Sequence, residues 1–336
     1  MSTSIHAVYG TMPQDLVDVP DDSVQCSPRR PGAQILSKMA VEGCVGFVMH
    51  APASTLERRH ELALALKALM PGAPLTAVAA NTKGGNRLVA ELTALGCEAV
   101  SSPKRHHQVV RALRPESTPA FEEVIASAIE DGGPRLLPEL EMWSQPGLFS
   151  WDRIDPGSKL LIDHLPKLAG CGADLGCGIG ILARAVLATG SHDIKPGVNA
   201  GGIGHLSLVD IDHRALLMAR RNVPGANVST VWTDVRSAKG LPTRLDFVVA
   251  NPPFHDGGDE DKALGQAFIE RAAGMLRAGG VLWLIANRHL PYEATLNAVF
   301  ADVVQIDQAF GYKIYKATKG AEAEAPGRAR AARPRR

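Results

Sequence analysis

The sequence has few of the features that mark a membrane, disulfide-rich or metal-binding protein. No apolar run approaches the roughly 18 residues that a membrane-spanning helix needs, and the N-terminus lacks the basic start and apolar core of a signal peptide. The five cysteines are odd in number and include no Cys-x-x-Cys pair, which favours reduced thiols. The eleven histidines are scattered, without the spacing of metal ligands. We therefore expect a cytoplasmic protein with no resident metal.

The chain also lacks an excess of charge of one sign. Its 36 basic and 35 acidic residues give a net charge of +1, so no global nucleic-acid signature is present. Basic residues are nevertheless concentrated in two segments that contain no acid, 104–114 and 328–336. Each segment can bind phosphates non-specifically or can simply form a solvated surface, and the sequence leaves both options open.

The length of 336 residues predicts about two domains. Strands and helices alternate in both halves, which indicates an α/β fold of two tandem doubly wound, Rossmann-like units. In the first half, predicted strands at 44–50, 75–80 and 97–101 are separated by helices, and the first helix opens on a capping box that ends at Glu57. The predicted domain boundaries are an irregular segment 1–33, a first domain 34–135, a second domain 140–318 and a disordered basic tail 319–336.

The second half is predicted to contain seven strands, and its last two form an antiparallel hairpin. The first strand leads into Asp174-Leu175-Gly176-Cys177-Gly178-Ile179-Gly180 and then a helix. Glycines between a strand and a helix let a ligand approach the backbone closely. The dinucleotide fingerprint would need a sixth-position glycine, where this chain has Ile181. The sequence therefore predicts a ligand site other than that of a dinucleotide, followed by a glycine-rich insertion at 191–204.

Acidic residues follow the next two predicted strands. Asp210 ends one strand and Asp234 follows another, so both are expected at the edge of the sheet where ligands bind. A carboxylate there can accept hydrogen bonds from two hydroxyl groups. Alternatively, Asp210 is a helix N-cap, although Asp212 could fill that position, and Asp234 is a turn residue.

The fourth predicted strand, 245–250, stops at Asn251-Pro252-Pro253-Phe254. Proline has no N–H to donate, so this loop offers acceptors, namely the Asn251 side-chain oxygen and the Pro252 carbonyl. Two acceptors beside an aromatic ring suit a planar group that carries an exocyclic amino group. Alone, however, the motif could equally be a turn that ends a strand.

Several motifs together resemble the ribosomal RNA guanine-N2 methyltransferases of the RsmC/RlmG type, within the class I S-adenosylmethionine-dependent methyltransferases. The resemblance covers 140–318 strongly and 35–115 more weakly. It implies that the first domain is a degenerate copy of the methyltransferase fold that binds no cofactor. The motifs are Gly147-Leu148-Phe149-Ser150-Trp151-Asp152-Arg153-Ile154-Asp155-Pro156-Gly157-Ser158, Asp174-Leu175-Gly176-Cys177-Gly178, Asn251-Pro252-Pro253-Phe254-His255-Asp256-Gly257 and Ala286-Asn287-Arg288-His289-Leu290-Pro291-Tyr292.

The resemblance also implies roles for individual residues. Asp174 with Gly176, Gly178 and Gly180 would hold the amino-acid end of S-adenosylmethionine, Asp210 its ribose hydroxyls and Asp234 its adenine amino group. Asn251, Pro252 and Phe254 would be catalytic. The substrate-binding candidates are Phe254, His255, Phe149 and Asp152, although His255 could only pack the loop and Asp152 could cap a turn.

The predicted function is therefore methylation of the exocyclic N2 of a guanosine in ribosomal RNA, with 16S RNA of the small subunit favoured. The expected partners are ribosomal RNA or the small subunit and no membrane; the oligomeric state is open, with a monomer as one option. The alternatives are a protein glutamine N5-methyltransferase, which usually has Tyr at the position of Phe254, and a large-subunit guanine-N2 methyltransferase. Adenine-N6 methylation and a catalytically inert RNA-binding protein are weaker options.

Overall fold

The computed structural model describes residues 5–189, 202–253, 255–256, 259–260 and 262–321. The predicted insertion 191–204 lies outside these residues up to position 201, as does the predicted tail from position 322 onward. Within the described ranges, no helix is both long enough and apolar enough to span a membrane.

The first half of the chain folds around a six-stranded sheet in the order β2-β1-β3-β4-β6-β5. Strands β1 to β4 are parallel to one another, and β6 runs antiparallel to both β4 and β5. The strands are β1 (Ile5–Tyr9), β2 (Val24–Gln25), β3 (Cys44–His50), β4 (Pro74–Ala80), β5 (Ala99–Lys104) and β6 (His107–Leu113).

The structure corrects the prediction that residues 1–33 are irregular. Strand β1 lies between β2 and β3, and its last three residues, Ala7, Val8 and Tyr9, are buried. The sequence argument failed because a five-residue strand has too few positions to show a hydrophobic period. Strand β6 was also missed, because its residues were read only as part of a basic segment.

Three helices cover the first sheet: α1 (Thr55–Ala68), α2 (Leu88–Ala94) and α3 (Pro119–Asp131). Helix α1 lies in the core of this half, where Leu62 and Leu66 are fully buried. Helix α3 is capped by Thr118, whose side chain accepts a hydrogen bond from the Phe121 backbone N–H, and packs against α1. A short hairpin, β7 (Arg135–Leu137) with β8 (Met142–Ser144), leads to the second half.

The second half contains a seven-stranded sheet in the order β11-β10-β9-β12-β15-β17-β16. Five neighbouring strands are parallel, and β17 is antiparallel to β15 and β16, which confirms the predicted α/β sheet with a terminal hairpin. The strands of this sheet are β9 (Gly170–Leu175), β10 (Ile203–Asp210), β11 (Val228–Trp232), β12 (Leu245–Ala250), β15 (Leu276–Asn287), β16 (Asp302–Ala309) and β17 (Tyr312–Thr318). A separate two-stranded hairpin consists of β13 (His255–Asp256) and β14 (Asp259–Glu260). The helices are α4 (Pro156–His164), α5 (Ile181–Thr189), α6 (His213–Asn222), α7 (Lys262–Met275) and α8 (Glu293–Val299).

Helices cover both faces of this sheet, and its central strands are mostly apolar. In β12, Val248 packs into the core on one face and Val249 into the core on the other, and neither is exposed to solvent. This is the pattern expected of a parallel strand that is buried on both sides. The carboxyl ends of β9, β10 and β12 therefore meet at one edge, where only loops cover the sheet.

The two halves meet at a cluster of charges, which we call the Arg214 cluster and in which all members but Arg29 are buried: Arg29, Glu57, Glu61, Asp212 and Arg214. Arg214 on α6 pairs with Glu57 at 2.8 Å and Glu61 at 3.2 Å, both on α1, and with Asp212 at 2.7 Å. Arg29 adds a contact of 3.1 Å to Asp212. Ser54 makes no side-chain cap bond, so the predicted capping box is absent and Glu57 serves this interface instead.

Electrostatics within the cluster favour the ionised form of Asp212. Burial alone would raise the pKa of this carboxyl, but the neighbouring Arg214 and Arg29 lower it well below its usual range. Glu61 behaves differently, because burial raises its pKa to about 7 although Arg214 opposes this. Within the cluster, the contacts that cross the interface are those of Arg214 with Glu57 and Glu61 and that of Arg29 with Asp212, while the Arg214–Asp212 pair lies within the second half.

Candidate active site

The loop 176–180, which we call the glycine loop, joins β9 to α5 at the carboxyl edge of the second sheet. Gly178 has φ of +52°, and a side chain added there would meet no atom within 4 Å. Gly180 has φ of +87°, and a Cβ there would lie 3.0 Å from Val223 on the protein side. Positive φ values strain other residues, so the loop needs glycine at both places. The result is bare backbone that faces open space.

Asp174 lies directly below this loop and is fully buried. One carboxylate oxygen, Oδ2, accepts a hydrogen bond of 3.0 Å from the Ala183 backbone N–H. The other, Oδ1, has no partner among the described residues. Burial raises the pKa of this carboxyl to about 7. Because a buried oxygen without a partner is costly, Asp174 is suited to accept from a cationic donor such as an ammonium group.

Asp210 ends β10 beside the glycine loop and is half-buried. Its Oδ2 accepts a 2.8 Å hydrogen bond from the Gly178 N–H, and its Oδ1 accepts one of the same length from the Asp212 N–H. Burial raises its pKa to about 6. The N-cap of α6 is Asp212, which accepts from the Arg214 N–H, so the capping alternative for Asp210 is wrong. A carboxylate has about four acceptor sites, which leaves Asp210 room for ligand hydroxyl groups.

Asp234 follows β11 and is engaged by a neighbour in its own turn. It accepts hydrogen bonds from Arg236, at 3.0 Å from Nε and 2.9 Å from the backbone N–H. These bonds lower the pKa of Asp234, although partial burial opposes them. Such contacts are those of the turn-residue alternative, and a role at an adenine amino group stays a prediction.

Asn251 follows β12, and its carboxamide is held in one orientation. Its Nδ2 donates to Asp155 Oδ2 and to Ser158 Oγ, both at 2.9 Å. Its Oδ1 is buried and has no partner among the described residues. Because the ionised Asp155 can only accept, the amide nitrogen must face it and the amide oxygen must face away. The loop therefore presents an unused acceptor.

Two further contacts fix Asp155 itself, which is the N-cap of α4. Its Oδ2 accepts from the Ser158 N–H at 2.8 Å, and its Oδ1 accepts from the Tyr312 hydroxyl at 3.5 Å. The sequence analysis includes Asp155 and Ser158 in the motif 147–158 but assigns neither a role at this site. The sequence gives little indication of this contact, because Asp155 and Asn251 are 96 positions apart and come together only at the edge of the folded sheet.

A recess at this edge brings several predicted residues together. It is lined by residues from three segments: Phe149, Ser150, Asp155, Ser158, Gly176, Cys177, Gly178, Ile179, Ile181, Leu182 and Asn251. The glycine loop and Asn251 thus share one space, with the half-exposed ring of Phe149 beside them. Asp152 is exposed, pairs with Arg153 at 3.5 Å and does not line the recess.

The remaining predictions concern the loop after Asn251. Pro252 is buried. Phe254 lies outside the described residues. His255 is described only through its backbone, which pairs with Glu260 in the short β13–β14 hairpin. The catalytic and substrate-binding roles of these residues stay predictions.

Comparison with known proteins gives a consistent result. The family model of the methyltransferase small domain matches residues 139–316. The ribosomal RNA small subunit methyltransferase C of Pseudomonas aeruginosa (strain LESB58) is 30% identical over 300 residues, covering 89% of this chain and 86% of that protein. Its counterpart from Erwinia tasmaniensis is 31% identical over 291 residues, covering 84% and 78%.

A solved structure supports the same architecture. The T. thermophilus 16S rRNA N2 methyltransferase (RsmC), in complex with AdoMet and guanosine, superposes with a TM-score of 0.71 at 23% identity. The match covers 94% of this chain and 88% of that one. Both halves are therefore included, and the likeness establishes a shared two-sheet fold.

Proposed function

This chain belongs to the methyltransferase small domain family, and within it to the ribosomal RNA small subunit methyltransferases C, and we propose that it methylates the exocyclic N2 of a guanosine in 16S ribosomal RNA. The observation that carries the proposal is the fixed carboxamide of Asn251. Its buried oxygen has no partner among the described residues and lies at the recess that the glycine loop also lines.

The cofactor of this reaction is S-adenosylmethionine, and the residues present fit it. Asp174 would hold the ammonium of its amino-acid end through the unpartnered Oδ1, and the glycine loop would accommodate the same end. Asp210 would accept from the ribose hydroxyls, and Asp234 is proposed at the adenine amino group. When bound, the cofactor supplies an electrophilic methyl group on a sulfonium.

The chain's own contribution to the reaction is to hold and polarise the target amino group. The lone pair of guanine N2 is delocalised into the ring, which makes this nitrogen a poor nucleophile. Asn251 Oδ1 and the Pro252 carbonyl would accept its two hydrogens and so aim the lone pair at the methyl group. This is catalysis by positioning and electrostatics. No dedicated base is required, because the proton can leave after transfer.

The target base must be turned out of its RNA stack to reach such a recess. Phe254 is proposed to stack on that base, and Phe149 to line the entrance beside it. His255 and Asp152 are proposed as further substrate contacts. The boundaries 34–135 and 140–318 are proposed for the two domains, with the substrate site confined to the second.

The proposed substrate is RNA of the small ribosomal subunit in the cytoplasm. The relatives that cover most of the chain are small-subunit methyltransferases, which favours this RNA over that of the large subunit. The chain spans 78–86% of the length of these two relatives.

Labelled methyl transfer tests the proposal. Unmodified small and large subunits are incubated with the protein and methyl-labelled S-adenosylmethionine, and nucleosides and protein are then separated. We expect label in N2-methylguanosine from the small subunit, and labelling slowed by about 100- to 1,000-fold with the Asn251→Ala variant. Label in N6-methyladenosine, in glutamine or only in the large subunit would overturn it.

A further inference from the structure

The tip of the β16–β17 hairpin carries an aromatic ring that the fold does not need. Phe310 is 84% exposed, the largest exposed fraction among the large apolar residues of the described ranges. It has φ of +50° and is followed by Gly311 with φ of +85°. Two successive positive φ values are typical of a tight hairpin turn in which Asn or Gly is favoured and a bulky residue is strained. Neither packing nor turn geometry therefore explains the phenyl group.

The tip lies at the same edge of the sheet as Asn251. Strand β17 starts at Tyr312, whose hydroxyl donates to Asp155, the residue that orients the Asn251 carboxamide. Tyr312 pairs with Asn287 at the carboxyl end of β15, and β15 is the neighbour of β12. Since adjacent strands are about 4.8 Å apart, β17 lies about 10 Å to the side of the strand that leads to Asn251.

A positive charge lies against the tip. The Arg288 backbone N–H donates to the Gly311 carbonyl at 2.8 Å, which joins the loop after β15 to the turn. The Arg288 side chain is exposed, and none of the ion pairs among the described residues includes it. His289 beside it is exposed as well. The tip therefore combines a free aromatic face with a guanidinium that is available for a phosphate.

We propose that Phe310 and Arg288 form a platform for single-stranded RNA next to the target guanosine. A base that flanks the target stacks on Phe310, and Arg288 binds the phosphate of the same strand. Aromatic stacking with a nearby cation is the usual way in which proteins hold single-stranded nucleic acid without reading its sequence. The platform would hold the RNA strand while the target base is turned into the recess. This inference rests on the proposed RNA methylation.

The stacking role is tested with Phe310→Asn and Phe310→Trp. Asparagine is favoured at positive φ, so the first variant removes the ring without straining the turn. We expect Phe310→Asn to raise KM for unmodified small subunits by about 5- to 100-fold, the range that stacking energies of single bases correspond to. Its kcat and its affinity for S-adenosylmethionine should change little, and Phe310→Trp should retain the KM of the parent protein.

The phosphate contact is tested with Arg288→Gln against Arg244→Gln. Arg244 is an exposed arginine just before β12, at the opposite edge of the same sheet, so its variant has the same charge change away from the tip. Arg288→Gln should weaken RNA binding and reduce its slope against salt by about 1. Arg244→Gln should leave both unchanged.

RNA affinity is measured by filter binding without turnover, so the two proposals can fail separately. A parent protein that methylates guanosine while Phe310→Asn binds RNA with unchanged affinity would overturn the platform alone. An inactive parent protein would sink the methylation, while the ratio of RNA affinities would still decide the platform. If Phe310→Asn abolishes self-association in sedimentation and leaves RNA affinity intact, the tip is a protein contact and the platform is wrong.

Discussion

The two sheets share a strand order, and they differ in the hydrogen-bond acceptors that their edge loops leave available. Aligned from the antiparallel end, β1-β3-β4-β6-β5 of the first sheet corresponds to β9-β12-β15-β17-β16 of the second. The turn after β3, which begins at Ala51 and Pro52, therefore occupies the place of Asn251 and Pro252. The side chain of Ala51 carries no carboxamide, so the first half lacks the side-chain acceptor that Asn251 provides in the second half.

The acceptors that remain in the first half are already used. The carbonyls of Pro52 and Ala53 accept from Arg58 at 2.9 and 2.8 Å. Arg58 is fully buried and also pairs with Glu91 at 2.6 Å. The loop of the first half thus has its carbonyls satisfied by a side chain of the protein, whereas the Asn251 oxygen in the corresponding loop of the second half has no partner among the described residues.

The same alignment identifies the strand of the first half that corresponds to β9. The sequence analysis treated 44–50 as the first strand, whereas the counterpart of β9 is β1. After β1, Gly10 exchanges hydrogen bonds with the Gln25 side chain, its N–H donating at 3.1 Å and its carbonyl accepting at 3.0 Å. A single glutamine thus satisfies the backbone at the place where the second half has its glycine loop.

The largest effect is expected where the two halves are joined. Arg214→Met leaves Glu57, Glu61 and Asp212 buried without their main partner, and should lower the free energy of unfolding by about 3–5 kcal/mol. Urea unfolding measures this. Arg29→Met is the control, because the Arg29 side chain is 54% exposed and such pairs contribute about 1 kcal/mol or less. Equal losses for both variants would show that Arg214 is not the main contact that joins the halves.

Asn251→Ala removes the side-chain acceptor that distinguishes the second half from the first. We expect kcat to fall by about 100- to 1,000-fold, as for the loss of one pre-organised polar group at a reacting centre, with unchanged affinity for S-adenosylmethionine. Asn86→Ala in the first half, at an exposed position, should leave turnover unchanged. Steady-state kinetics and calorimetry check both variants, and full turnover by Asn251→Ala would exclude the acceptor role.

Asp155→Asn tests whether the orientation of Asn251 matters, as opposed to its presence. Asparagine caps a helix as well as aspartate does, but its amide can donate and so allows the Asn251 carboxamide to turn over. We expect kcat to fall by about 10- to 100-fold, the cost of about 1–3 kcal/mol for a misdirected buried polar group. The matched control is Asp163→Asn on the exposed face of the same helix. Unchanged kcat in Asp155→Asn would mean that Asp155 is not needed to orient Asn251.

The smallest effect expected is a pH dependence of cofactor affinity, which arises from two carboxyls of the second half. Burial raises the pKa of Asp174 to about 7 and of Asp210 to about 6, so both carboxyls take up protons as the pH falls through this range. A cationic cofactor binds the ionised forms better, so its affinity should rise from pH 5 to pH 8 and then level off. Calorimetry across this range checks it, and Asp210→Ala should bind weakly and lose the step near pH 6.

Stability of the ligand-free protein should follow the opposite trend. Both folded-state pKa values are above those of the unfolded chain, so the folded state binds more protons between about pH 4 and pH 7. Asp174 and Asp210 therefore contribute stability that is lost as the pH rises through this window.

A cofactor affinity that does not change between pH 5 and pH 8 would contradict the assignment of these carboxyls to the site.

Local patterns in the sequence were sufficient for the second sheet and insufficient for contacts between distant segments. Strands such as β12 and the glycine loop were predicted because each signal lies within about ten residues. Strands β1 and β2 were missed because they are too short to show a period. The bonds that orient Asn251 and the contacts of the Arg214 cluster join segments up to 183 positions apart, and no local pattern contains them.

Asp210 and Asp212 are two residues apart and face different parts of the molecule. The Asp212 N–H donates to Asp210, which bonds the glycine loop, while the Asp212 carboxylate binds the arginines of the interface. Thermodynamic reciprocity then applies to this short segment. If occupancy of the methyl-donor site strengthens the association of the halves by some factor, separating the halves must weaken that occupancy by the same factor. A ligand bound at the glycine loop of the second half would in this way also stabilise the association of the two halves.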